Sequence, residues 1–321
     1  MAKVLINEEN LTNIANAIRE KNGETTTYKP GEMATAITDL PSGGDTSIED
    51  GLLSGTLTEY SNNRVTVIRS ALFKNSKIKT INMPNVTSIE GQAFFQAPLE
   101  QINCPKVLYI YAFAFQQCFY LTNVDFPEVK EIGEEAFYES GLLSANFPKA
   151  LELDARAFKS AKITSINCPL VTSIGTDTFA FCRSLTDVNM PELTSYMGNR
   201  HFEKNTSLEH IELPKIDSIP SCCFINCTAL KVADFGKITK IDSYAFQGAT
   251  VFDTLIIRNT TMCSLYNVNA LETTLIGSGT GYIYVPKTLI EDYKVATNWV
   301  TYAAQFRAIE DYPDICGEVN A

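Results

Sequence analysis

Eight residues at near-constant spacing carry the hydrogen-bonding chemistry of this sequence. Asn82, Asn103, Asp125, Asn146, Asn167, Asn189, Glu212 and Asp234 follow one another at intervals of 21 to 23 residues. Amides and carboxylates in one column could exchange hydrogen bonds with sugar hydroxyls, and the acidic end could hold a cation through oxygen ligands. The same column could instead be a ladder of side chains bonded to one another along a sheet. A second departure is aromatic. Tyr109, Tyr111 and Phe113 fill places that one period earlier hold Ser88, Glu90 and Gln92, and one period later Glu131, Gly133 and Glu135. With Phe95, Phe119 and Tyr120 beside them, they would make an exposed patch for a stacked glycan or a sister chain. The alternative is that the rings fold inward and overpack.

Other reactive residues point to packing. Cys222, Cys223 and Cys227 have neither a second cysteine pair nor a nearby histidine, so a zinc site is not expected. His201 and His210 are the only histidines. His201 takes a place usually held by alanine, in the one copy of the pattern with an extra residue, which marks local distortion. No serine triad, phosphate loop or H-E-x-x-H segment is present, and Glu134 with Glu135 reads as a solvated turn. The expectation is a protein that is not an enzyme and uses no cofactor or metal.

These residues are positioned by a repeat. Phe73, Phe94, Phe115, Phe137, Phe158, Phe179, Phe202, Phe224 and Phe246 recur every 21 to 23 residues. A unit this short cannot bury its own apolar face, so successive units must stack around a shared core. Each begins with a strand pattern such as Ile163, Ile166 and Cys168, closed by a proline that cannot donate to a ladder, as at Pro84, Pro105, Pro127, Pro148, Pro169, Pro191 and Pro214. The strands must then pair in parallel from coil to coil, about 4.8 Å apart. A V-x-x-I segment forms the opposite wall, and a short helical turn carries each Phe inward, with Ala93, Ala114, Ala136, Ala157 and Ala245 making room. Where the link to the next unit is six residues long, Cys118, Cys182, Asn205 or Cys227 stands in it to satisfy backbone groups. Cys104, Cys168 and Cys223 also read as small core residues.

The net charge of −11 argues against duplex nucleic acid, and no apolar run is long enough to insert in a membrane. Residues 1–10 lack the basic and apolar parts of a secretory signal, so synthesis in the cytoplasm and release by lysis is expected. The intervals 121–137 and 163–182 match L-x-x-I-x-I-P-x-x-V-x-x-I-G-x-x-A-F-x-x-C almost throughout. This resembles the leucine-rich repeats of the BspA, or treponemal surface-antigen, type over residues 57–285. The resemblance implies a leucine-rich-repeat solenoid of parallel β strands that serves as an extracellular or particle-borne scaffold.

Both ends differ from the repeat. Residues 1–40 read as two short helices, with Leu11, Ile14, Ile18, Met33 and Ile37 on their apolar faces. Residues 41–47 are a Gly-containing linker, 48–285 the solenoid and 286–321 a C-terminal cap containing a helix from Leu289 to Phe306. Ile14, Ala15, Ala17, Ile18, Arg19, Lys21, Gly23, Tyr28, Pro30, Met33, Ala34, Ala36 and Ile37 resemble a module of phage and prophage structural proteins. That resemblance implies a virion component, such as a tail fibre or receptor-binding protein. Its helices would anchor to other virion proteins and its solenoid would meet a host-surface glycan or protein. A bacterial surface adhesin and a head-associated fibre or decoration protein are the alternatives, and a homo-oligomer stays open.

Overall fold

A computed structural model of the protein describes residues 56–317. The chain divides into two units, Met1–Asp50 and Gly51–Ala321, and every described residue belongs to the second. The N-terminal helical pair, the linker 41–47 and the anchoring candidates Leu11, Ile14, Ile18, Met33 and Ile37 lie outside the described residues.

The described unit is a parallel β-solenoid with three hydrogen-bonded walls. Eleven strands of three or four residues, from Glu59–Ser61 to Phe306–Ala308, form the first wall. Ten two-residue strands, from Val67–Ile68 to Ser264–Leu265, form the second. Pairing is parallel and in register, as in Ile81 opposite Ile102 and Ile110 opposite Ile132. The prolines that follow the strands keep them short, because each removes a donor from the ladder.

The third wall corrects the expected helical turn. Residues two before and two after each core Phe are left-handed, as with Gln92 (φ 58°) and Gln96 (φ 56°) around Phe94. The N–H groups of Gln92, Phe94 and Gln96 donate to the carbonyls of Ala112, Ala114 and Gln116 at 3.0, 2.8 and 2.9 Å. A helix would spend those donors on its own turn. Alternating handedness instead aims every second N–H at the next coil, and that bond offsets the roughly 1–2 kcal/mol that a left-handed L-residue costs.

Inside, the nine phenylalanines form one stack. Neighbouring rings lie 5.1 to 5.6 Å apart, all nine are fully buried, and Tyr60, Phe126, Phe147, Phe235 and Phe252 pack against rings of the stack. Near-parallel aromatic pairs of this kind add about 0.5–1.5 kcal/mol each beyond the burial of their area. The largest tilt, 19°, is between Phe179 and Phe202. That is where the extra residue between Pro191 and Phe202 falls, and both strand walls also break there: Asp187–Asn189 is not laddered to His210–Leu213, nor Ser195–Tyr196 to Ser218–Ile219. The turn wall continues across the seam through Phe202 N–H to Cys223 O at 2.9 Å.

The C-terminal segment is helical only in part. One helix, Ile290–Val295, lies between 3-10 turns at Lys287–Leu289 and Trp299–Tyr302, a one-turn helix follows at Pro313–Cys316, and Phe306, expected in a helix, is instead in a strand that pairs with Ile283. That strand pairs the open groups of Tyr282–Val285 and leaves only a three-residue strand as the edge. Trp299 Nε1 donates to the Cys263 carbonyl at 2.7 Å, the Cys263 N–H donates to Tyr293 Oη at 2.7 Å, and Tyr302 Oη donates to the Val268 carbonyl at 2.8 Å. Residues Ile309 and Cys316 then return to pack on Ile256 and Tyr284, on the outer side of the first wall.

Candidate functional site

The amide column lies on the outer side of the first wall because each member follows an inward-pointing apolar residue, such as Ile81, Ile102 or Ile166, and successive side chains alternate faces. Asn103 Nδ2 donates to Asn82 Oδ1 at 2.7 Å. Asn167 Nδ2 donates to Asn146 Oδ1 at 2.8 Å, and Asn189 Nδ2 donates to Asn167 Oδ1 at 2.7 Å. The self-bonded ladder therefore exists. Each amide still keeps a second N–H and a second lone pair, so the ladder does not exhaust its bonding capacity. Asp125 interrupts the run: it is exposed, lies outside any strand, and cannot continue an amide chain as a carboxylate.

The acidic end of the column is not an open cation site. Glu212 is exposed, but Asp234 is only 8% exposed and is held by Arg258. Arg258 Nε donates to Oδ1 at 2.8 Å and Nη2 to Oδ2 at 2.6 Å, while Nη2 also donates to the Cys316 carbonyl. Beyond Asp234 the same column is continued by Ile256, Tyr284 and Arg307.

The aromatic coil presents its rings outward. Tyr111, Phe119 and Tyr120 are 51%, 50% and 62% exposed. Tyr109, Phe113 and Phe95 are half-buried, and Phe113 occupies a left-handed turn position at φ 63°. Tyr109 and Tyr111 belong to the second wall, whereas Phe119 and Tyr120 stand past the far end of the turn, so one coil carries aromatic side chains at two corners. Tyr120 stands near Lys79, whose ammonium is held charged chiefly by its bond to Glu100 and then by that carboxylate's field.

Carboxylates adjoin Tyr109 in the second wall. Glu131 follows Tyr109 on the next rung and Glu152 follows Glu131. Burial, and secondarily the charge of Glu152, raises the pKa of Asp154 from its ordinary value.

The remaining candidates are structural. Cys118, Cys182 and Cys227 donate their thiols to the carbonyls of Phe94, Phe158 and Phe202 at 3.0, 3.0 and 2.9 Å. Burial pushes Cys104, Cys168 and Cys227 up to about 12, against weaker backbone hydrogen bonds that pull the other way. Asn205, expected to act like these cysteines, does not: it is buried with no hydrogen bond to either amide atom among the described residues. Its amide is bulkier than a thiol and stands in the distorted coil. His201 is fully buried, stacks on Tyr196 at 4.4 Å, and donates from Nε2 to the Gly198 carbonyl at 3.2 Å. All nine cysteines are free, and among the described residues no cluster of three or more His, Cys, Asp or Glu is arranged to hold a metal.

A model of the BspA type leucine rich repeat region matches residues 56–153 and 151–268. The chain belongs to the BspA-type leucine-rich repeat family. No curated protein matches it. Among solved structures, this BspA-type chain is similar to a leucine rich cell surface protein from Faecalibacterium prausnitzii A2-165, at 23% identity and a TM-score of 0.40 over 65% of this chain. It spans 62% of the length of that protein. A leucine-rich repeat protein from Bacteroides ovatus matches at 18% identity and a TM-score of 0.34, covering 76% of this chain and 88% of the other. The pneumococcal vaccine antigen PcpA matches at 15% identity and a TM-score of 0.32, covering 79% and 83%. No helix among the described residues is long and apolar enough to cross a membrane.

Proposed function

We propose that this BspA-type solenoid is a non-enzymatic adhesion scaffold that meets a host-surface glycan or protein through its side walls. The observation that carries this reading is the outward aromatic coil. Phe119 and Tyr120 occupy places held elsewhere by Arg183 and Ser184, Thr206 and Ser207, or Thr228 and Ala229, so the repeat does not need aromatics there. Exposed rings that folding does not require cost solubility and suit contact. Asn82, Asn103, Asn146, Asn167 and Asn189 offer a polar strip on the first wall, with Asp125 at its break. Tyr109, Tyr111, Phe113 and Tyr120 offer the stacking surface.

A second reading, a phage tail-fibre or receptor-binding protein, is favoured by the module-like residues between Ile14 and Ile37. In it, Leu11, Ile14, Ile18, Met33 and Ile37 anchor the chain to other virion proteins. Antibody against residues 60–280 separates the two: labelling of intact bacteria supports the adhesin, and labelling of purified particles supports the virion component. Binding of wild type, Tyr111→Ala, Tyr120→Ala and Asn146→Ala to host cells and a glycan panel tests the scaffold reading. A loss of about tenfold in at least one variant is expected, since stacked rings are worth about 1 kcal/mol or more. Equal binding by all four proteins rejects both walls as contact surfaces.

A further inference from the structure

The second wall shows how this fold treats a tyrosine in the slot of Tyr111. Tyr266 occupies the same slot near the C-terminal end, two residues after Ser264, and Lys240 on the preceding rung places its ammonium 5.0 Å from the Tyr266 ring centroid. Tyr111 stands two residues after Tyr109, whose preceding rung supplies Ser88 where the other site has lysine. Tyr111 therefore presents an exposed ring with no cation over it among the described residues.

The following rungs carry the complementary charge. Tyr109, Glu131 and Glu152 are consecutive outward residues of one ladder, and Asp154 lies close enough to Glu152 to feel its charge. None of these three carboxylates has an ion pair among the described residues. Elsewhere, carboxylates are paired to lysines one coil away, as in Lys149 with Glu128 and Lys215 with Glu192. Like charges directly opposite on neighbouring strands are destabilising. Arg69 and Lys130 border the face, and neither forms an ion pair there.

Resting on the scaffold reading above, we infer that the second-wall face of Tyr109, Tyr111, Glu131, Glu152 and Asp154 docks a basic polypeptide segment, with an arginine or lysine over the Tyr111 ring. Arginine suits it better, because a planar guanidinium can stack on the ring and reach a carboxylate with a fork of donors. Rungs about 4.8 Å apart would let an extended segment meet successive carboxylates.

Ser88→Lys tests this directly, because its lysine would cover Tyr111 as Lys240 covers Tyr266. Ser218→Lys, in the same outward column past the seam, adds equal charge without covering Tyr111. Fluorescence anisotropy of labelled hepta-arginine, titrated with the full chain at about 0.15 M ionic strength, reads the affinity. The expected result is a loss of about tenfold for Ser88→Lys and for Glu131→Gln/Glu152→Gln, with Ser218→Lys within about twofold of wild type. Equal losses in Ser88→Lys and Ser218→Lys would show attraction to net charge alone and overturn the inference. Matching thermal unfolding of the three variants and wild type excludes a folding defect. A chain that adheres to host cells but ignores hepta-arginine overturns this inference and leaves the scaffold reading standing. A chain that binds the peptide at this face but no host surface or glycan does the reverse.

Discussion

Arg258 grips Asp234 with two donors, at 2.8 and 2.6 Å, and the same guanidinium reaches the carbonyl of Cys316. One side chain thus ties the acidic end of the outward column to the returning C-terminal segment. Arg258→Ala should cost about 2 kcal/mol, the scale of a charged hydrogen-bonded contact that leaves a partly buried carboxylate alone. It should also speed proteolysis near residues 309–317, where Ile309 and Cys316 lose the clamp beside Ile256 and Tyr284. Unchanged cleavage by limited proteolysis would show that apolar packing alone retains the segment.

His201 supplies a pH dependence. Burial lowers its pKa from 6.5 to about 4, against weaker support from the Gly198 and Gly175 backbone. Above pH 6.5 the ring is neutral in both states and contributes no slope. Between 6.5 and about 4 the unfolded chain takes up the proton first, so stability falls as pH falls, by about 3 kcal/mol across the window. Urea unfolding of wild type and His201→Ala from pH 7 to 4 should show that extra loss only in wild type. Parallel curves would mean that the imidazole is reached by water.

Phe158 lies mid-stack, 5.3 Å from Phe137 and 5.5 Å from Phe179. Phe158→Ala should cost about 3–5 kcal/mol, because a cavity opens within a rigid column that cannot collapse to fill it. Denaturant titration by circular dichroism measures this.

Thiol labelling tests the interior. Eight of the nine free cysteines are buried and Cys222 is half-buried. A disulfide-exchange reagent at pH 8 should modify about one thiol per native chain, and all nine in denaturant, since a buried thiol held protonated is a poor nucleophile. Rapid native reaction of several thiols would contradict the packing of the Cys118, Cys182 and Cys227 turns.

Middle-of-ladder Asn167 donates to Asn146 and accepts from Asn189. Asn167→Ala should cost less than about 1 kcal/mol, because water replaces exposed bonds cheaply. A larger loss by thermal unfolding would make the ladder a principal structural element.

Periodicity alone determined much of this protein. The spacing of nine phenylalanines set the register, and with it the parallel walls, the buried cysteines and the outward column from Asn82 to Asp234. Those features repeat, so each coil restates the same packing solution. Tertiary structure decided whatever depends on contacts between distant residues or on backbone handedness. The left-handed pairs around the Phe residues are glycine only at Gly248, because the coil-to-coil hydrogen bond and not the residue type selects that conformation. Arg258 reaching Asp234 and Cys316, Phe306 joining the ladder as a strand, and Lys240 covering Tyr266 while Ser88 leaves Tyr111 open all follow from where coils stack in space. A repeat unit read singly does not contain that information.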